Sequence, residues 1–165
     1  MGTSPEGLTQ MFADWEGGDQ EAARLCNEVL ALRGRVLPDG HPMVAGALHV
    51  LGRSLLEQGK PAGALPLLRD SLTLRRKTLP SNHWLLANSE SVLGECLGRM
   101  GEYVQAEPLL VASHRKLQEI LGPSHPRTRE SLDRVIRFYG LSGKPEKAAV
   151  YRQQLDPAGA NHPPE

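Results

Sequence analysis

Between Pro42 and Gly59 the apolar residues Val44, Leu48, Leu51 and Leu55 recur at steps of four, three and four, which is the stripe of an amphipathic helix. Gly59 ends that stripe. A second one follows, with Ala64, Leu67, Leu68 and Leu72 on one face behind Pro61, a residue whose missing N–H costs nothing at a first helical position. The pattern predicts two antiparallel helices joined by a tight turn. Pro66, and Pro108 one period later, stand five positions after Pro61 and Tyr103, close enough to the helix starts to be tolerated.

The same pattern returns. "LPDGHP" begins at Leu37, "LPSNHW" at Leu79 and "LGPSHP" at Leu121, each 42 residues after the last. At that spacing Leu51, Leu93 and Val135 align, as do Gly59, Gly101 and Gly143, and then Ala64, Ala106 and Ala148. An incomplete earlier copy falls at Gly17, Ala22, Leu25 and Leu32. A period in this range marks stacked repeats, each burying its apolar face against its neighbours. The recurring phrase is the punctuation between units: Pro38, Gly40 and Pro42 break one helix, and His41-Pro42 starts the next, with histidine near the cap and proline at the first position. At 84 a tryptophan replaces the proline, so that start is expected to be less sharply fixed.

Composition adds the fold class. Aromatics make up 4% of the 165 residues, and the apolar content, 39%, is mostly Leu, Ala and Val; strand-rich proteins lean on branched and aromatic side chains instead. The expectation is an all-α protein. Nineteen basic and nineteen acidic residues cancel, so no global field draws the chain to nucleic acid or an anionic membrane. "MGTSPEGLTQ" has no basic and apolar export signal, and no stretch approaches 18 apolar residues, so neither export nor membrane spanning is expected. Cys26 and Cys96 are too few for a disulfide framework, which makes a reduced cytoplasmic protein the default.

Small residues at Gly52 and Gly94 and at the Ala64, Ala106 and Ala148 series allow paired helices to approach closely. With "ALHVLGRSLLEQGKPAGALPLLRDSL" and "SVLGECLGRMGEYVQAEPLLVAS", they resemble the tetratricopeptide repeat in its longer, 42-residue form known from kinesin light chains. The likeness covers residues 17–155, is less regular in the last unit, where Ile136 replaces the small residue, and is weakest at the N-terminus, in "MFADWEGGDQEAA". It implies a right-handed superhelical stack of antiparallel helix pairs, about four repeats. Residues 1–16 would be an N-terminal segment forming the first helix of a degenerate repeat, 17–155 the repeat domain, and 156–165 a flexible tail. A narrower likeness joins "SESVLGECLGRMGEYVQAEPLL" and "HPRTRESLDRVIRFYGLSGKPEKAAVYRQQL" to the closing repeats of bacterial serine/threonine kinases, although the chain has no G-x-G-x-x-G loop, H-R-D or D-F-G.

Chemistry finds little purchase. Histidines 42 residues apart sit on successive units, displaced by on the order of 20 Å, whereas zinc requires each nitrogen within about 2.1 Å. "EQGKP" and "LSGKP" lack the phosphate-loop frame. No G-x-S-x-G, H-E-x-x-H or C-x-x-C occurs, so no enzyme, cofactor or metal is expected. Residues 127–154 carry seven Lys or Arg against three Asp or Glu, which reads as a solvated face.

In the tetratricopeptide family the first helix of each pair lines an inner groove, and the second, fifth and ninth positions of its signature read the ligand. Carried over, these are Gly46, His49 and Arg53, then Asn88, Ser91 and Glu95, then Glu130, Asp133 and Arg137. Kinesin light chains share an Asn at the fifth position, here His49, Ser91 and Asp133; the chaperone-tail carboxylate clamp uses Lys and Asn, and here only Arg53 and Arg137 offer comparable charge. The resulting expectation is a non-enzymatic scaffold binding a protein or peptide partner through His49, Arg53, Asn88, Ser91, Glu95, Glu130, Asp133 and Arg137. A groove of mixed sign prefers a ligand carrying both charges. The alternatives are a structural or oligomerisation module, and a regulatory repeat region detached from a bacterial kinase. No nucleic acid or membrane partner is expected, and the chain is expected to be a monomer or to self-associate weakly.

Overall fold

The computed structural model describes residues 41–155. They form six helices and no strand: α1 (Pro42–Glu57), α2 (Pro61–Thr78), α3 (Trp84–Arg99), α4 (Tyr103–Leu121), α5 (Pro126–Leu141) and α6 (Pro145–Arg152). These make three antiparallel pairs. The degenerate first repeat expected from Gly17 onward, the N-terminal segment 1–16 and the tail 156–165 lie outside the described residues.

Each pair opens with the same device. The ring nitrogen Nδ1 of His41, His83 and His125 accepts a hydrogen bond from the backbone N–H two residues on, at 3.2, 3.2 and 3.1 Å, satisfying one of the donors that a helix start leaves free. The histidines therefore serve as caps. Trp84 changes nothing in this: α3 starts at the same place, because the His83 cap rather than the following proline fixes it.

Each pair also turns the same way. Gly59, Gly101 and Gly143 have φ of 72°, 82° and 71°, a region that other residues enter only with strain. In each turn the next residue's N–H reaches back five positions, Lys60 to Leu55 at 2.8 Å, Glu102 to Leu97 at 3.0 Å and Lys144 to Tyr139 at 2.9 Å, the bond of a glycine-terminated helix end. Pro66 and Pro108 sit inside α2 and α4 without breaking them.

The core lies between the helices of each pair and between successive pairs. Val44, Leu48, Leu68, Leu72, Ala64, Ala106 and Ala148 are all buried, while Leu51, Leu55 and Leu67 are half-buried at its margin. A Cβ added to Gly52 would lie 2.7 Å from the Leu68 side chain, and one on Gly94 would lie 2.7 Å from Leu110. Glycine and leucine thus interlock at equivalent points in the first two pairs. In the third, Ile136 takes the glycine's place and the exposed Arg152 the leucine's. The eight-residue α6 is held by other means: Tyr151 stacks on Tyr139 with ring centres 5.6 Å apart, and Glu107 of α4 accepts from Tyr139 at 3.1 Å, Lys144 at 2.7 Å and Lys147 at 2.9 Å.

Candidate functional site

The first helices of the three pairs, α1, α3 and α5, together line a cleft of about 270 Å³. Arg53, Leu56 and Glu57 enter it from α1, Glu95 and Arg99 from α3, and Glu130, Asp133, Arg134 and Arg137 from α5. No second helix contributes. Four guanidiniums face four carboxylates there, so the charges cancel.

The electrostatic centre is Glu95. Arg99 approaches its carboxylate to 2.6 Å, Arg134 to 3.0 Å and Arg137 to 3.9 Å. Burial alone would raise its pKa, but these guanidiniums hold the carboxyl below the usual carboxylate range, so it stays ionised. Arg134 also donates to Glu130 at 3.2 Å and to Ser91 at 3.4 Å, which ties α5 to α3. Arg99 donates to the Leu56 carbonyl at 2.8 Å, closing the C-terminal turn of α1 against α3. Arg53 meets Glu57 at 3.7 Å.

Of the eight expected groove residues, five reach this cleft: Arg53, Glu95 and Glu130 half-buried, Asp133 and Arg137 exposed. The other three do not open into it. His49, Asn88 and Ser91 are buried, at 4%, 3% and 0% exposure, and are not part of its lining. Asn88 Nδ2 lies 3.4 Å from His49 Nε2, and the pair joins α1 to α3. Burial, with the guanidiniums of Arg75, Arg53, Arg134 and Arg127 nearby, holds the His49 imidazole well below its ordinary pKa and therefore neutral. The counting rule that picked these residues also passed over Arg134 and Arg99, although each stands four residues after a glutamate, Glu130 and Glu95, a visible signal of i,i+4 pairing.

A second cavity of about 170 Å³ adjoins the first, sharing Glu95, Arg99, Arg134 and Arg137 and adding Gly98, Phe138 and Leu141 as an apolar wall. A third, about 490 Å³, opens between α2, α3 and α4 around Glu90, but Glu90 is already paired with Arg76 at 3.0 Å and Lys116 at 3.1 Å. Cys96 is buried, its thiol pushed up to about 11, mainly by burial. Among the described residues no group of three or more ligating side chains could hold a metal ion, and no helix is long and apolar enough to cross a membrane.

Residues 44–85 match the model of the tetratricopeptide repeat family. No curated protein matches the chain. Among solved structures, the kinesin light chain nearly identical TPR-like repeats of Podosopora anserina superpose with a TM-score of 0.70 at 23% identity, over 96% of this chain and 75% of that one. A single-residue variant of the same protein gives 0.72 at 22% identity, over 99% of this chain and 80% of that one. With the six helices described above, these likenesses establish the fold as an all-α solenoid of tetratricopeptide type, carrying one stretch that matches the repeat family itself.

Proposed function

We propose that the chain is a non-enzymatic scaffold whose inner cleft holds a segment of a partner protein. Repeats of this kind generally mediate contacts between proteins. The observation that supports the inner cleft is its lining: all nine residues come from first helices, eight of them are charged, and seven of those eight are at least partly exposed, Arg134 and the apolar Leu56 being buried. A surface held by the stack before the partner arrives loses little entropy on binding. Four guanidiniums opposite four carboxylates favour a segment that itself carries both signs, since a uniformly acidic or basic one would meet like charge at every second contact.

The test uses the wild-type chain as bait for affinity capture, then calorimetry on the captured partner. Arg137→Glu and Asp133→Lys, both exposed, should each weaken binding by about 1–3 kcal/mol through a lost charge-assisted contact. Val150→Ser, on α6 and away from the cleft, should change nothing. Equal affinities for all three variants would remove the cleft as the binding surface. The exposed Val150 and Leu155 at the end of the stack favour a second reading, end-to-end association of copies; a concentration-dependent mass in light scattering would support it.

A further inference from the structure

The three pairs are internal controls for one another, and one edge of the molecule departs from the pattern. Around the turn between α3 and α4, Met100 in the turn and Tyr103 and Val104 at the start of α4 are exposed, Val104 by 91%, and Leu141 at the end of α5 is exposed beside them. The equivalent positions in the neighbouring units are Gln58 and Ser142, Pro61 and Pro145, Ala62 and Glu146, and, for Leu141, Glu57 and Arg99. Nothing in the fold asks for large apolar side chains here, because the other two turns are built the same way without them. The residues form one surface: the Tyr103 hydroxyl donates to the Leu141 carbonyl at 3.3 Å, and the Tyr103 and Phe138 rings meet edge to face at 5.9 Å. Behind them is the apolar wall of the 170 Å³ cavity, a volume comparable to the roughly 150 Å³ that accommodates a benzene ring in a protein interior.

Its charge identifies what fits. Arg99, Arg134 and Arg137 line the cavity with Glu95, and Arg134 is paired on its other side with Glu130; three guanidiniums against these two carboxylates leave an excess of one positive charge, presented by Arg137, whose side chain is 59% exposed. We infer that the edge formed by Met100, Tyr103, Val104 and Leu141 is a docking surface for an acidic amphipathic segment of another protein, one apolar side chain entering the cavity and carboxylates facing Arg99 and Arg137. The inference rests on the reading of the chain as a partner-binding scaffold, but it places the contact on the turn edge rather than in the cleft. An apolar stripe seated on an apolar surface, with charge complementarity along one flank, is a recurring mode of segment recognition.

The probe is a pair of labelled 18-residue synthetic peptides with leucines at helical spacing, one carrying Glu along a flank and the other Lys, titrated by fluorescence anisotropy against the full chain. The Glu peptide should bind at least tenfold tighter than the Lys peptide. The combined substitutions Met100→Gln, Val104→Ala and Leu141→Arg install residues that the equivalent positions already carry, and should weaken Glu-peptide binding at least tenfold with unchanged circular dichroism. If that variant unfolds, Val104→Ala alone decides, a threefold loss supporting the surface and unaltered binding overturning it. Equal binding of both peptides, or of neither, overturns it. Binding that survives the combined variant but is lost in Asp133→Lys also overturns it, while leaving the cleft reading intact. A wild-type dimer in sedimentation that the combined variant dissolves would give the edge to a second copy and overturn it as well.

Discussion

Arg134 of α5 and Glu95 of α3 meet at 3.0 Å with their side chains only 5% and 16% exposed, and this ion pair fixes the spacing of the two first helices that carry most of the cleft. A buried charge that loses its partner costs more than the pair contributed, because the remaining ion keeps its desolvation penalty. Glu95 would keep Arg99 and Arg137, so the loss is partly cushioned. Arg134→Met should therefore destabilise the fold by about 2–4 kcal/mol, read from urea denaturation. An unchanged midpoint would mean that α3 and α5 are held by apolar packing alone.

Arg75 makes the opposite case. It is as buried as Arg134, yet its guanidinium donates to the Ser89 hydroxyl at 2.6 Å and the Leu85 carbonyl at 3.5 Å, with no carboxylate paired to it among the described residues. Burial pulls its pKa down to about 10. Arg75→Met should leave stability within about 1 kcal/mol of wild type, or raise it, since an apolar side chain of similar length avoids the desolvation. Denaturation of the two Arg→Met variants side by side checks the contrast; a loss at Arg75 matching that at Arg134 would refute it.

The interlock of Gly94 with Leu110 sets a packing prediction. A methyl on Gly94 would meet the Leu110 side chain at 2.7 Å and its backbone nitrogen at 3.2 Å, so Gly94→Ala should cost about 1–3 kcal/mol by overpacking. Adding Leu110→Ala should give less than the sum of the two single losses, which a double-mutant cycle measures. Gly140 has nothing within 4 Å of such a methyl, and there alanine should gain up to about 1 kcal/mol from helix propensity. A gain at Gly94 would show the helix pairing to be wrong.

Acid should destabilise the fold in two stages. His49, His83 and His114 all have pKa values lowered from 6.5, chiefly by burial, so below that pH the unfolded chain binds protons that the folded one resists. Stability is full above about 6.5 and falls as pH drops, by up to about 1.4 kcal/mol per pH unit for the buried His49 and by less for the more solvent-screened His83 and His114. His83 adds a structural reason, because protonated Nδ1 cannot accept the cap from Leu85. Glu107, held at about 2 first by its hydrogen bond from Lys144, adds a later loss between about pH 4.5 and 2. Urea midpoints at pH 7.5, 5.5 and 4 follow the first stage; equal midpoints at 7.5 and 5.5 would rule it out.

Local signals in the chain were enough for the elements. Proline at Pro42, Pro61, Pro126 and Pro145, glycine at Gly59, Gly101 and Gly143, and the capping histidines act within one helical turn, so they are legible residue by residue. The 42-residue spacing then turned one reading into three, and the close-packed alanines at 64, 106 and 148 followed from it. Arg76 shows where local reading stops. It looks like a free charge near the end of a second helix, but it pairs across the joint with Glu90 at 3.0 Å, a residue fourteen positions away on the next helix.

The sequence by itself determined the period, the helix pairs, and their turns and caps, because these depend on bond geometry and spacing along one chain; the expectation that the first helix of each pair faces the cleft came from the family resemblance. Only the tertiary structure decided which residues of that face are open. Residues at one signature position share a direction relative to their own helix axis, yet His49 and Ser91 are buried while Asp133 is exposed, since burial depends on whether a further first helix packs alongside. α1 and α3 each have such a neighbour among the described helices, and α5 is the last of the three. For the same reason Arg134, one residue past Asp133, turns inward to Glu95 and Glu130 and becomes the joint of the site, a role that no spacing within α5 could assign.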